Sequence, residues 1–293
     1  MKADFHIHSR YSYDAGGEIA AIFNAAEANG VSVIAITEHH HARSIPAALQ
    51  ESKRHPSIRY IPSIEATVNV FGSHFDVVCL NADIEHPAYI EYERLHIEWQ
   101  RGMNAAALAE LKKQGIAMTA DDMDAYMRDR CAPLIDAVGV TRIGVKPLAN
   151  WLVKNGRMTD IEAAKTAVET ALGGGNPKGP HFPMPPGEKI IPLIREFSAI
   201  QSLAHPSQYY RGAALSYFPQ LFDAIGFNAI ECAHPTISDE QSAQYRKFCV
   251  EMGLFSTAGT DCHNNYEYGI LGSKGEPEWF EEVMERLEES LPR

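Results

Sequence analysis

The chain opens by alternating apolar runs with an amphipathic stretch: KADFHIH, then GEIAAIFNAAEANG, then VSVIAIT. These predict a strand, a helix closed by glycine and a second strand, which is a βαβ start. A further helix is expected from roughly Arg43 to Arg54. It leads into IRYIPSIEATV, and SHFDVVCL follows as another strand after the turn residues Phe71 and Gly72. The rhythm implies a mostly parallel sheet or barrel.

From about Asp83 to Asn176 the pattern lengthens into helical periods, IEYERLHIEWQRGMNAAALAELKKQG, DDMDAYMRD, RIGVKPLANWLVKNG and IEAAKTAVETALGGG. This predicts an inserted helical subdomain over 83–176, with a barrel built from 1–82 and 177–293. The insert ends in GGGNPKGPHFPMPPGEK, a glycine- and proline-rich loop able to lie over a neighbouring site. Strand and helix alternation then resumes through AIQSLAH, FNAIECAH and LFSTAGTDCH to a terminal amphipathic helix, EWFEEVMERLEES. The glycines at 173–175 lack the following lysine and hydroxyl of a phosphate-binding loop and read as a helix stop.

Length and composition fit one large α/β unit with an insertion: 293 residues, 45% hydrophobic and 22% charged. No apolar run approaches the ~18 residues of a membrane span, and the polar, histidine-bearing start does not resemble a secretory leader. A cytoplasmic, membrane-independent protein is expected; its oligomeric state does not follow. The five cysteines are odd in number and never spaced CxxC, so neither a disulfide framework nor a thiolate zinc site is expected. A net charge of −12 argues against a broad surface for long nucleic acid. The thirteen histidines are the unusual number, and many stand beside carboxylates at predicted strand ends.

That placement is the chemical signal. Asp4, His6 and His8 alternate along the first strand and share one face. Glu38 and His39 follow VIAIT, Glu65 follows YIPSI, His205 follows QSLA, Glu231 and His234 follow FNAI, and Asp261 and His263 follow LFSTAGT. Chargeable groups thus terminate one apolar strand after another, on the face where parallel barrels place their chemistry. His74 begins the strand SHFDVV, and Asp14 lies in the loop after the first strand. Nitrogen and oxygen donors without thiolate suit manganese, zinc or iron.

In order, D-F-H-I-H-S-x-x-S, I-T-E-H-H, S-I-E-A, L-A-H-P and A-G-T-D-C-H resemble the motifs of the polymerase-and-histidinol-phosphatase (PHP) superfamily, from end to end of the chain. The resemblance implies a distorted (β/α)7 barrel with a mainly helical cap. It also implies two or three divalent ions: one held by His6, His8, Glu65 and Asp261, a second by Glu65 and His74, and a third by Asp14, His39, His205 and His263. The chain departs from the family where T-D-H-D becomes Thr37, Glu38, His39 and His40, which makes Glu38 and His40 second-sphere or substrate-facing groups. Tyr13 is an extra residue before Asp14.

The chemistry expected from clustered cations is phosphate ester hydrolysis by activated water. His234, with His40, is the candidate proton donor or acceptor. In the cap, the branch resembles phosphoesterases of small nucleotides and oligoribonucleotides, and Arg142, Lys178 and His181 are the candidate phosphate contacts. The leading reading is a phosphomonoesterase of a small nucleotide or sugar phosphate. The alternatives are a phosphodiesterase acting on cyclic phosphates or short 5′-phosphorylated RNA, an amidohydrolase-type C–N hydrolase, and a non-catalytic metal-binding module.

Overall fold

The structure is a computed structural model and describes residues 1–173 and 183–289. In chain order the elements are β1 (Ala3–Ile7), α1 (Ile19–Ala28), β2 (Val33–His39), α2 (Ile45–Ser52), β3 (Arg59–Val70), β4 (Ser73–Leu80) and α3 (Pro87–Lys113). They continue with α4 (Ala120–Val138), α5 (Val145–Lys154), α6 (Ile161–Ala171), α7 (Gly187–Phe197), β5 (Ile200–Leu203), α8 (Phe218–Ile225), β6 (Ala229–Ala233), α9 (Asp239–Met252), β7 (Phe255–Ala258) and α10 (Pro277–Glu289). The chain divides into two compact units, one comprising Met1–Ser9, Gly17–Glu93 and Pro186–Arg293, the other Arg10–Gly16 and Arg94–Pro185.

In the first unit the seven strands form one sheet in the order β1 to β7. Neighbours are parallel except that β4 runs antiparallel to both β3 and β5. A parallel bridge joins Ile7 to Cys262, and His8 N donates to Cys262 O at 2.9 Å, so the segment after the last strand closes back on the first. This is the distorted seven-stranded barrel. Residues of β1 are buried on both sides, as a closed barrel requires. Ala3 and Phe5 pack outward with Val33, Ile61, Val283 and Leu287, and Phe5 meets Phe280 of α10 edge to face at 5.6 Å. Asp4, His6 and His8 take the other face.

The second unit is helical. Its core gathers Leu111, Met123, Leu134, Leu148, Leu152 and Val168 from α3 to α6. Thr119 and Asp122 form a capping box at the start of α4, and Gly139, at φ 75°, ends it in the left-handed region that glycine adopts without strain. Asp160 caps α6 through the Ala163 amide. The segment Arg10–Gly16 belongs here because Arg130 Nε donates to Tyr13 O at 2.8 Å and the Arg142 guanidinium lies 5.3 Å from the centre of the Tyr13 ring. No helix among the described residues is long and apolar enough to cross a membrane.

Candidate metal centre

Strand geometry delivers the donors. His6 lies in β1 with His8 just beyond it, and the last residue of β2, His39, stands in register with Glu65 of β3. His205 follows β5, Glu231 lies in β6, and Asp261 and His263 follow β7. Three non-glycine residues at these ends have left-handed backbone, His40 at φ 64°, His205 at 28° and Asp261 at 52°. Such strain persists only where the surroundings hold it. Here the Asp261 amide donates to His6 O at 2.8 Å and the His205 amide to Glu231 Oε2 at 2.6 Å. Gly259 is required by close approach: a Cβ there would fall 2.2 Å from the His6 Cβ and 2.7 Å from Glu231 Oε1.

Among the described residues, three groups have donor atoms within 4.8 Å of one another: His8, His39 and His263; His6, His8 and Asp261; and His6, Glu65 and His205. They share members, so this is one continuous cluster. The hydrogen bonds around it fix which ring nitrogens remain as donors to a cation. His6 Nδ1 lies 3.1 Å from Glu231 Oε1, and because a carboxylate only accepts, Nδ1 carries the proton and Nε2 presents its lone pair. That lone pair faces Glu65 Oε1 at 3.2 Å and Asp261 Oδ1 at 3.4 Å. His6 Nε2 and Glu65 Oε2 are buried with no hydrogen bond among the described residues. A lone pair aimed at two carboxylates in a buried site is repulsive until a cation or proton stands between them. His263 Nδ1 donates to the Asp261 carbonyl at 2.6 Å, which leaves its Nε2 as the donor atom. The residues therefore fit divalent metal, and the oxygen and imidazole set suits manganese, zinc or iron.

The electrostatics carry the same signature. Burial opposes charge on His6, yet Glu65, Glu231 and Asp261 together hold its pKa well above the ordinary histidine value. Burial would raise Glu65, but His6, His39 and His205 hold it well below the usual carboxylate range. His8 is pushed down to about 4 by burial and by His263 and His39, so its imidazole is neutral at physiological pH. Asp4 takes no part in the cluster. It accepts from the Thr260 hydroxyl at 2.7 Å and from the Thr260 and Gly272 amides at 3.1 and 2.9 Å, tying β1 to the segment after β7.

His205 associates with His6 and Glu65 rather than with His39 and His263. His74 is not brought to the cluster. β3 runs five residues past Glu65, and His74 pairs with Asn69 near the exposed tip of the β3–β4 hairpin. The group from β4 that does approach is Asp76, whose Oδ2 lies 3.9 Å from His205 Nε2 and whose Oδ1 accepts from Thr67 Oγ1 at 2.6 Å. The alternation of β4 could have pointed to Asp76, since it shares a face with His74 and Val78.

Glu38 accepts from the Ser9 hydroxyl and, at 3.3 Å, from the Ser9 amide, fixing the turn after His8. His40 is fully buried and lies outside the three donor groups. His234 borders the cluster: its Nε2 is 3.5 Å from Asp261 Oδ2, and its ring centre is 5.7 Å from that of His205. The Thr236 amide donates to His234 Nδ1 at 3.1 Å, so neutral His234 carries its proton on Nε2. Asp14 and Arg142 belong to the second unit. Lys178 and His181 lie outside the described residues.

Residues 4–143 match the family model of the PHP domain. Two relatives, each named 5′-3′ exoribonuclease Rnm, from Salmonella typhimurium and Escherichia coli, are 25% identical over 280 residues, covering 92% of this chain and 88% of theirs. Among solved structures, an amidohydrolase from Chromobacterium violaceum is 23% identical with a TM-score of 0.71, covering 98% of this chain and 97% of its own. A protein assigned as a metal-dependent phosphoesterase from Bifidobacterium adolescentis is 18% identical with a TM-score of 0.73, covering 97% and 96%. Residues 4–143 are thus similar to the PHP domain, and the chain shares the fold of these solved structures.

Proposed function

We propose that this protein hydrolyses phosphodiester bonds of short RNA, working from a 5′ end, with two or three divalent ions. The observation that carries the reading is the continuous cluster of His6, His8, His39, Glu65, His205, Asp261 and His263, in which imidazole lone pairs face buried carboxylates. Those residues would hold the ions, with Asp76 beside His205 as a further oxygen donor. Divalent cations held in this way neutralise charge developing on a phosphoryl group and acidify a water molecule toward hydroxide near neutral pH. Glu231 keeps the proton of His6 on Nδ1 and so fixes which nitrogen faces inward. His234, its proton on Nε2 at the edge of the cluster, is placed to protonate the departing oxygen.

The choice of RNA over the monoesters of small nucleotides or sugars rests on the likeness to the two exoribonucleases along nearly the whole chain. The amidohydrolase alternative is disfavoured because those barrels bridge metals with a modified lysine. Here the carboxylate of Glu65 stands among the donors, and no lysine is buried among the described residues. A panel of 5′-phosphorylated oligoribonucleotides, p-nitrophenyl phosphate and bis(p-nitrophenyl) phosphate under manganese tests the assignment. Stepwise release of mononucleotides from the 5′ end is expected. Turnover of the monoester alone would return the monoesterase reading, and turnover of amides alone the C–N hydrolase reading.

A further inference from the structure

Away from the metal cluster, two thiols meet in the wall between β6 and α9. Cys232 Sγ and Cys249 Sγ are 3.6 Å apart, and both residues are fully buried. Cys79, Cys131 and Cys262 instead have their sulfurs against backbone carbonyls, of Val77, Met127 and Glu267 respectively. Two further features distinguish the pair from ordinary buried thiols. Ser256 Oγ lies 3.4 Å from Cys232 Sγ and accepts from Arg246 Nη1 at 3.0 Å, which brings a guanidinium to the edge of the pair. Cys249 also forms part of the wall of a surface cleft of about 350 Å³, lined as well by Arg246, Val250, Phe255, Glu282 and Glu285.

We infer that Cys232 and Cys249 are a redox-active dithiol that takes a hydroperoxide as its oxidant and closes to an intramolecular disulfide. Cys249 supplies the attacking sulfur because that residue, unlike Cys232, lines the cleft. The hydrogen bond from the Cys232 thiol holds the Cys249 pKa below its ordinary value against the opposing effect of burial, and Arg246 adds to the lowering. Cys249 thiolate attacks one peroxide oxygen; the O–O bond breaks, an alkoxide or hydroxide leaves and takes up a proton, and Cys249 becomes a sulfenic acid. The Cys232 sulfur then attacks the Cys249 sulfur. The S–S bond forms, the S–O bond breaks, and hydroxide leaves with the Cys232 proton as water. Two electrons pass from the two thiols to the peroxide. From 3.6 Å the sulfurs must close by about 1.6 Å to reach the ~2.05 Å of a disulfide. The bond would pin α9 to β6, the strand that carries Glu231 one residue before Cys232.

The test is a thiol count and a non-reducing peptide map on the full chain, before and after brief exposure to hydrogen peroxide and again after dithiothreitol. Two of the five thiols should disappear together, the chain should lose two mass units without dimerising, one cross-linked peptide pair should contain Cys232 and Cys249, and dithiothreitol should restore five thiols. In Cys249→Ala and in Cys232→Ala the cross-link should be absent, while Cys79→Ala should leave it intact. Retention of all five thiols in the unmodified protein, prior oxidation of Cys262 or another cysteine, or oxidation of Cys249 to sulfinic acid without cross-linking would each overturn the assignment.

Discussion

Replacing Glu231 by glutamine separates the orientation of the His6 imidazole, proposed to hold metal, from the imidazole itself. Glu231 is buried and accepts twice, from His6 Nδ1 at 3.1 Å and from the His205 amide at 2.6 Å. Burial favours the neutral acid, but His6 and His234 outweigh it and hold the carboxyl below its ordinary value, so it is ionised at neutral pH. Glutamine has nearly the same shape but only one acceptor oxygen and no charge. Its amide nitrogen must face either His6 Nδ1 or the His205 N–H, both donors, leaving a buried polar group unsatisfied at a cost of about 1–3 kcal/mol. Loss of an outer carboxylate on a ligating histidine weakens metal binding about 10- to 100-fold, or roughly 1.4–2.7 kcal/mol. Manganese titration of the metal-stripped wild type and Glu231→Gln by calorimetry, beside a denaturation curve of each, reads both effects. A Kd raised at least tenfold is expected. An unchanged Kd with only a lower Tm would refute the role of Glu231 in orienting His6.

Three other outcomes follow from the geometry. Asp76→Asn should lower metal content or affinity, measured by elemental analysis after dialysis, whereas His74→Ala should leave both unchanged, because only Asp76 reaches toward His205. His234→Gln should cut kcat about 100-fold or more with metal content retained, in keeping with loss of a proton donor. In the first unit, burial would raise Glu93, but His41 and Arg43 hold its pKa down at about 2, below the ordinary 4.5. A depressed folded value gives stability that is present above the unfolded pKa and lost as pH falls from about 4.5 toward 2. With screening at the half-exposed Arg43, this is about 1–2 kcal/mol. Glu93→Gln should flatten the acid limb of a urea-denaturation profile over that window, and an unaltered limb would contradict the assignment.

The barrel and most of the donor set were legible because both rest on local pattern. Apolar runs mark the strands, and in a barrel of mainly parallel strands a polar residue at the end of each run points to the same rim, so His6, His39, His205 and Asp261 could be grouped without coordinates. The pattern failed where register decides. SHFDVVCL reads as a strand in any direction, but β4 runs antiparallel and β3 overshoots the rim, which carries His74 to the hairpin tip and lets Asp76 approach instead. The contact of Glu231 with the His205 amide is fixed only by the pairing of β5 with β6 and by the left-handed backbone at His205, neither of which periodicity reports. His40 and Glu38 likewise follow an apolar run, yet Glu38 accepts from Ser9 and His40 takes a left-handed backbone at φ 64°. Tyr89 and Tyr92 pack on Phe197, at 5.5 and 5.3 Å, so α3 begins in the first unit even though its helical period is continuous. His41, two residues past His39, is buried beside Glu93.

The most direct test of the metal centre is elemental analysis of protein grown with ample manganese, iron and zinc, combined with anomalous scattering from its crystals. Two or three divalent ions per chain are predicted, with anomalous peaks among His6, His8, Glu65 and Asp261 and beside His39, His205 and His263. A metal-free protein, or ions bound only elsewhere on the chain, would contradict the account.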